Sequence, residues 1–384
     1  MKKLVILLCL AFVLCGCGKE TKEDVLKELK NEINNIKSYK VSGNMEISND
    51  EETFTYSLES YYLKDNYYKV ILVNQTNNHE QIILKTGEDI YVITPALNKS
   101  FKFQSEWPGN SSQAYLLGSI VKDIDNDKNA EVVEDKNGYI IKTSVNYPNN
   151  NELKYQKIYL NNKKTIEKVE VFNESDIVKI KVNFDNIDLN AGLKESNFKL
   201  EDYIKEEPND TQKEEPNTNE ETSCATDNTS EECKNQTSET QTSKNNKENA
   251  GEQNNANSNN ENNSEKTTNI ENIIYPLYIP SNTYLTSSET IETDNGNRII
   301  LTFSGEKNFV LIEEPTIAQS DMEIVPVYGE PLLLSESIGA LSANSLSWDV
   351  NNISYYLAST ELTVSEMQSI ANSLGNTTLV SNTK

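Results

Sequence analysis

A long stretch without large apolar side chains divides this chain. Residues 205–268 contain no Val, Ile, Leu, Met, Phe, Trp or Tyr, and Asn, Glu, Thr, Ser and Lys predominate. Such a stretch cannot bury enough apolar surface to offset the entropy lost on ordering, so we predict a disordered, acidic and Asn-rich linker. The linker separates two foldable segments, residues 20–204 and 270–384, which we expect to form two domains that move independently.

The charge of the chain limits its partners. The 384 residues carry a formal net charge of −25, from 35 basic and 60 acidic residues. Most of the acidic excess follows residue 204, because the linker holds six Lys against 15 acidic residues and the second segment three basic against 14. Nucleic-acid binding requires clustered cations, so we exclude DNA and RNA as partners. Electrostatic attraction to anionic lipid headgroups is excluded for the same reason.

The N-terminus has the layout of a secretory signal. Lys2 and Lys3 precede an apolar run over residues 4–14, which is too short to remain as a membrane-spanning helix. The run ends in Leu14-Cys15-Gly16-Cys17, which resembles a bacterial lipobox. By that resemblance, residues 1–16 are a signal peptide, and acylation, palmitate included, makes Cys17 the anchor. An acylated cysteine holds a protein at a membrane without a basic patch. We therefore expect the protein on the outer face of the cytoplasmic membrane.

Two cysteines remain in the predicted mature chain after Cys17. Cys224 and Cys233 both fall in the linker, where a disulfide would close a small loop and would not staple a core. A local disulfide and two free thiols both remain open. A metal site at this pair is disfavoured, since two thiols without a nearby His are an incomplete ligand set.

The first segment predicts one helix followed by many strands. Thr21 and Asp24 resemble a capping box before an apolar stripe with helical spacing, and from Tyr39 onward the apolar period changes to two. A second helix is predicted over residues 112–124, and Asn137-Gly138 is typical of a hairpin turn. The fold class is therefore α+β: a curved antiparallel sheet with few helices, then the linker, then a small second α+β domain.

Three phrases of the first segment resemble the LolA-like and RseB-like superfamily of lipoprotein carriers and envelope sensors. They are Thr86-Gly87-Glu88-Asp89-Ile90-Tyr91, the hairpin from Tyr159-Leu160 to Val169-Glu170-Val171, and Phe184-x-x-Ile187-x-Leu189-Asn190 before Phe198. Within this superfamily, the first segment resembles germination lipoproteins of the GerS type and related sporulation lipoproteins. The resemblance covers most of residues 20–204. It implies an unclosed half-barrel of strands around helices, with an apolar concavity and no catalytic motif.

The second segment resembles a different family. Tyr275-Pro276-Leu277-Tyr278-Ile279-Pro280 opens it, and Trp348 precedes Tyr355-Tyr356-Leu357 and a helix predicted from Thr363 to Gly375. This opening and ending resemble a small domain of unknown function, DUF4367, found in Gram-positive lipoproteins and anti-sigma-like envelope proteins. Residues 314–345 match no known pattern.

Few residues are candidates for catalysis or metal binding. His79 is the only histidine, and its position in Asn77-Asn78-His79-Glu80 predicts a solvated loop residue, not a general base. Asp123, Asp125, Asp127 and Glu134 fall at calcium-loop spacing, but Lys128 replaces the glycine that the turn requires. We therefore prefer a solvated acidic turn there and keep calcium as the alternative. We predict no enzyme and no cofactor.

Four aromatic residues are candidates for an apolar binding surface. Tyr91, Phe101, Phe103 and Trp107 would line the concavity that the family resemblance implies, although filling the core of the sheet is the favoured interpretation.

Taken together, the sequence predicts a non-enzymatic, lipid-anchored envelope lipoprotein. By its resemblance to the germination lipoproteins, it would bind an apolar ligand or an envelope or spore-cortex protein during sporulation or germination. The same resemblance implies the intermembrane space of the forespore as a location. One alternative is a carrier of lipids or lipoproteins, although a permanent anchor suits shuttling poorly. Another is an envelope-sensing regulator of a sigma-factor pathway, which would require a separate transmembrane partner.

Overall fold

The computed structural model describes residues 21–49, 52–204 and 269–374. The first segment opens with helix α1 (Lys22–Asn34). It starts at the predicted capping box, in which Asp24 N donates to Thr21 Oγ1 at 3.2 Å and Thr21 N donates to Asp24 Oδ2 at 3.1 Å. These bonds satisfy N–H groups that lack a partner within the helix. Its buried side chains are Val25, Leu29 and Ile33.

Eleven strands follow α1, with a second helix, α2 (Leu117–Asn126), between the sixth and seventh strands. They follow the period-two pattern that begins at Tyr39. The strands are β1 (Ser38–Ser48), β2 (Thr53–Leu63), β3 (Tyr67–Asn74), β4 (Glu80–Thr86), β5 (Asp89–Thr94), β6 (Lys99–Phe103), β7 (Glu131–Asp135), β8 (Gly138–Ser144), β9 (Leu153–Asn161), β10 (Ile166–Asn173) and β11 (Val178–Asp188).

These strands form one unclosed antiparallel sheet in the order β6-β5-β4-β3-β2-β1-β11-β10-β9-β8-β7. The pairing of β1 with β11 joins the early and late strands, from Lys40 opposite Asp188 to Ile47 opposite Ile180. The predicted antiparallel sheet with few helices is confirmed.

The two faces of this sheet bury different sets of residues, because successive side chains of a strand point to opposite faces. We call the face that packs against α1 and α2 the inner face; it includes Val41, Met45 and Val182. The outer face carries a smaller cluster over β3–β5, formed by Ile82, Leu84, Tyr91, Ile93 and Phe198.

Helix α2 begins five residues later than predicted. Ser112 lies outside the helix because its main-chain N–H donates to Asn146 O at 2.7 Å and its hydroxyl to Asp123 Oδ1 at 2.8 Å. Tertiary hydrogen bonds to the β8–β9 connection therefore replace the local bonds that a helix would form.

The second segment forms a sheet of seven strands and one helix, α3 (Val364–Asn372). The predicted capping box starts α3, with Glu366 N donating to Thr363 Oγ1 at 3.2 Å. Met367, Ile370 and Ala371 of α3 pack on the core of the sheet. In sheet order, the strands are β12 (Thr283–Thr293), β13 (Gly296–Gly305), β14 (Phe309–Pro315), β19 (Ile353–Ala358), β18 (Ser345–Val350), β17 (Ile338–Ser342) and β16 (Gly329–Leu333).

One strand of the second segment belongs to the first sheet. Strand β15 (Glu323–Val327) pairs in parallel with β6, placing Val325 opposite Phe101. Beside this pair, Lys99 Nζ lies 3.0 Å from Asp349 Oδ1 of β18. The described parts of both segments consequently form one compact unit. The expectation that the two segments move independently is therefore wrong. Residues 315–329, whose sequence matches no known pattern, supply a backbone connection between the two segments.

Candidate functional site

A cavity of about 490 Å³ lies between the inner face of the first sheet and residues 330–338 of the second segment. One wall comes from β1, β4, β11 and the loops around residues 107–115 and 147–153. The opposite wall comes from β16, the segment that follows it and the end of α3, with Leu277 and Tyr278 also contributing. Both segments are required to form the cavity.

Hydrogen bonds hold the opposite wall in place. Gln81 on β4 bonds both main-chain groups of Ile338, accepting from its N–H at 2.5 Å and donating to its carbonyl at 3.3 Å. Tyr56 Oη donates to Ser335 O at 2.5 Å. On the other side, Asn372 of α3 accepts from Ser335 N at 2.9 Å. The residues between β16 and β17 are thus fixed to the first sheet and to α3 together.

Part of the cavity is apolar. Trp107, Tyr115 and Ile338 are buried and line it, while Leu277 is 63% exposed and Tyr278 40% exposed. Exposed apolar side chains next to a concave apolar wall are typical of binding surfaces.

Of the side chains that the structure describes, three charged ones line the cavity: Glu152, Lys179 and Glu330. Lys179 Nζ lies 2.9 Å from Glu152 Oε1, and its side chain is only 7% exposed. Glu330 has a different environment, since its two carboxylate oxygens accept hydrogen bonds from the side-chain amides of Asn110 and Asn149. The Lys179–Glu152 pair is neutral overall, so Glu330 gives the cavity a net negative charge.

The four aromatic residues considered for a concavity are all buried, but they do not share one surface. Trp107 lines the cavity, and Phe101 and Phe103 lie in the inner-face core with ring centroids 6.5 Å apart. Tyr91 lies on the outer face, because its cross-strand partner is Lys102 whereas Phe101 and Phe103 pair with Val92 and Ile90. A side chain that differs from its neighbours by one strand position cannot share their face.

The carboxylates of the alternative calcium loop contact different protein groups. Asp125 pairs with Lys30 at 2.6 Å, and Asp127 accepts from Ser144 N at 2.7 Å. Glu134 lies on β7. In residues 21–49, 52–204 and 269–374, no group of three or more metal-ligating side chains is present.

The acidic turn is also not wholly solvated as predicted. Asp123 is buried, and it accepts from Ser112 Oγ at 2.8 Å and from Gln156 Nε2 at 2.9 Å. Burial, only partly offset by these hydrogen bonds, raises the pKa of Asp123 to about 6.

His79 departs from the solvated position predicted for it. It is half-buried, and within the described residues its buried Nε2 atom has no hydrogen-bond partner. Burial lowers its pKa. His79 does not line the cavity, and Cys17, Cys224 and Cys233 lie outside the described residues.

Sequence reasoning missed Glu152, Lys179 and Glu330. They lie on separate elements far apart in the chain, and no local spacing connects them. The one available signal was Tyr275-Pro276-Leu277-Tyr278, where two prolines at 276 and 280 bracket apolar residues that a helix or strand would not expose.

In the part of the chain that the structure describes, no helix is long and apolar enough to cross a membrane.

Several solved structures are similar to this one at low sequence identity. A chain of the Pseudomonas aeruginosa MucA/MucB complex is 9% identical, with a TM-score of 0.29 and coverage of 90% of this chain and 96% of that one. A chain from the Clostridioides difficile CwlD amidase complex with the GerS lipoprotein is 20% identical, with a TM-score of 0.27 and coverage of 44% and 97%. A LolA superfamily protein from Nitrosomonas europaea is 12% identical, with a TM-score of 0.28 and coverage of 48% and 99%.

Sequence matches assign the family. A sporulation protein of Bacillus subtilis strain 168, YdcC, is 31% identical over 363 residues, which cover 94% of this chain and 93% of the relative. The family model described as "Sporulation protein YdcC-like" matches residues 1–198. The chain therefore belongs to the family of YdcC-like sporulation proteins.

Proposed function

We propose that this protein is a lipid-anchored, non-enzymatic binding protein of the sporulating cell envelope, and that its cavity holds an apolar ligand or an apolar segment of a partner protein. The cavity between the two segments is the observation that carries this proposal. Its volume of about 490 Å³ falls within the range of ligand cavities, about 300–1,000 Å³. Membership in a sporulation family supports the place and time of action.

The arrangement of the cavity supports binding and not catalysis. Lys179 is paired with Glu152, and both oxygens of Glu330 accept amide hydrogen bonds. His79, the one histidine of the chain, does not line the cavity. No nucleophile is therefore adjacent to a histidine base among the lining residues, whereas apolar and amide groups are abundant there.

The anchor is proposed from the lipobox-like sequence at Cys17. The Cys17→Ala variant should move from the membrane fraction to the soluble fraction, because the thiol that carries the lipid is lost. Immunoblots of fractionated cells measure this. A variant that stays in the membrane fraction would show that the anchor has been assigned to the wrong residue.

Site-specific photocrosslinking tests the binding function. A photoreactive amino acid in place of Leu277, which lines the cavity and is exposed, should crosslink a discrete envelope protein or lipid in sporulating cells. The matched control is Tyr284 on β12, which is 66% exposed and does not line the cavity. The same products from both positions, or no product from Leu277, would contradict the proposal.

A further inference from the structure

We propose that the cavity takes an extended peptide segment of a partner protein and that Glu330 binds a lysine or arginine of that segment. This inference rests on the proposed function and specifies the ligand of the same cavity. It is carried by the hydrogen bonding of Glu330, by the charge of the cavity and by the amide groups in its walls.

Glu330 is held in position without a cation. Asn110 and Asn149, on two different loops of the first segment, each donate a side-chain N–H to one of its carboxylate oxygens. Among the described residues, no Lys or Arg forms an ion pair with it. A carboxylate accepts about four hydrogen bonds, so two donors leave room for a cationic ligand. The two amides also fix the orientation of the carboxylate, which lowers the entropy cost of binding that ligand.

The remaining charges do not compensate Glu330. Among the residues that the structure describes, Glu152 and Lys179 are the only other charged ones that line the cavity, and they pair with each other at 2.9 Å. A cationic group entering the cavity would therefore meet an uncompensated carboxylate, and an anionic group would be repelled.

Amide groups in the walls favour a peptide over an acyl chain. Asn150 accepts from Glu152 N at 3.1 Å, and Asn372 accepts from Ser335 N at 2.9 Å. Both bonds use the amide oxygen, so the NH₂ groups can donate to ligand carbonyls. A hydrocarbon chain would desolvate these donors without pairing them, which is costly. An extended peptide pairs them through its main chain and places its apolar side chains against Trp107, Tyr115 and Ile338.

Three labelled octapeptides test this inference on the full chain carrying Cys17→Ala. All three alternate leucine and serine, and they differ only at one central position, which is lysine, norleucine or glutamate. We expect the lysine peptide to bind about tenfold more tightly than the norleucine peptide by fluorescence anisotropy at about 150 mM salt. The glutamate peptide should bind most weakly.

Two variants separate a specific contact from general attraction to an acidic protein. E330Q should abolish the preference for the lysine peptide, whereas E323Q, an equal charge change at an exposed position of β15, should preserve it. Circular dichroism checks that both variants are folded. The comparison of peptides on the unaltered site needs no folded E330Q, so the inference stays testable if that variant fails to fold.

The outcomes also separate this inference from the function on which it rests. Equal binding of the three peptides, or a lysine preference that persists in E330Q, would overturn the role of Glu330 and leave the binding function standing. Binding of oleate together with no binding of any peptide would overturn the peptide class in favour of a lipid. Failure of peptides and oleate alike, with no crosslink at Leu277, would overturn the proposed function itself.

Discussion

Glu313 is a fully buried carboxyl group in the core of the second sheet. Its Oε2 accepts from Ile274 N at 3.2 Å, and its Oε1 has no hydrogen-bond partner within the described residues. Burial raises the pKa of Glu313 to about 7. The folded state therefore prefers the protonated form, and the contribution to stability is full below the unfolded pKa of about 4.3 and is lost as pH rises through about 7.

The Glu313→Gln variant should reveal this cost. At about pH 8 we expect it to be more stable than the unaltered chain by about 1–3 kcal/mol, since a neutral amide avoids burying a charge. Near pH 4 the difference should vanish or reverse. Urea unfolding followed by circular dichroism at both pH values measures it. A stability difference that is independent of pH would show that folding does not raise the pKa of Glu313.

Asp123 provides a second test at the residue scale. Its folded pKa of about 6 exceeds the unfolded value of about 3.9, so its contribution to stability is lost between these pH values as pH rises. Asp123→Asn cannot titrate, and its stability relative to the unaltered chain should increase by about 2–3 kcal/mol from pH 4 to pH 7. Urea unfolding of both proteins at several pH values measures this difference in stability. A difference that stays the same from pH 4 to pH 7 would contradict the raised pKa.

At the scale of elements, two glycines should respond oppositely to substitution. On β1, Gly43 lies beside a bulge opposite β11, and an added Cβ would lie 2.0 Å from Asn183 O, a main-chain atom. In α2, Gly118 has no atom within 4 Å of an added Cβ. The close approach of the main chain of β11 requires glycine at position 43. At position 118 no neighbouring atom requires glycine.

Alanine substitution at these glycines tests the description of both elements. Gly43→Ala should destabilise the protein by about 1–3 kcal/mol, because β1 or β11 must shift. Gly118→Ala should stabilise it by about 0.5–1 kcal/mol, because alanine favours the helix. Thermal and urea unfolding measure both. Equal effects of the two substitutions would be inconsistent with the β1–β11 geometry.

At the scale of the whole molecule, residues from the second segment complete the first sheet and enclose the cavity. Lys99 connects the sheets, with Nζ at 3.0 and 3.1 Å from the two Asp349 oxygens. The Asp349 side chain is 2% exposed, so removing its cation would leave a buried charge unpaired. Stability and ligand binding should therefore be coupled across the two segments.

Lys99→Ala should lower the midpoint of a single unfolding transition that involves both sheets, with a cost of about 2–4 kcal/mol. Arg298→Ala, which breaks the exposed Arg298–Glu314 pair within the second sheet, is the control and should cost less than about 1 kcal/mol. Scanning calorimetry measures both. Two separate transitions, of which only one shifts, would show that the segments unfold independently.

Much of the secondary structure was predictable because it depends on local patterns. The strands from Tyr67 to Phe103 and the capping boxes at Thr21 and Thr363 follow from period-two alternation and side-chain spacing. The start of α2 was not predictable, since Ser112 bonds to residues distant in sequence. The position of Tyr91 was not predictable either. Which face of the sheet becomes concave depends on the elements that pack against it.

The sequence by itself determined the sheet-rich class and the net acidity, and it carried the predictions of two foldable segments and of an anchor at Cys17. These depend on composition and on spacing between near neighbours. Only the tertiary structure decided that β15 joins the first sheet and that Glu330 meets Asn110 and Asn149 beside a neutral Glu152–Lys179 pair. The contacts of β15 and of Glu330 join residues more than 100 positions apart, and a backbone strand or a carboxylate carries no local mark of its distant partner.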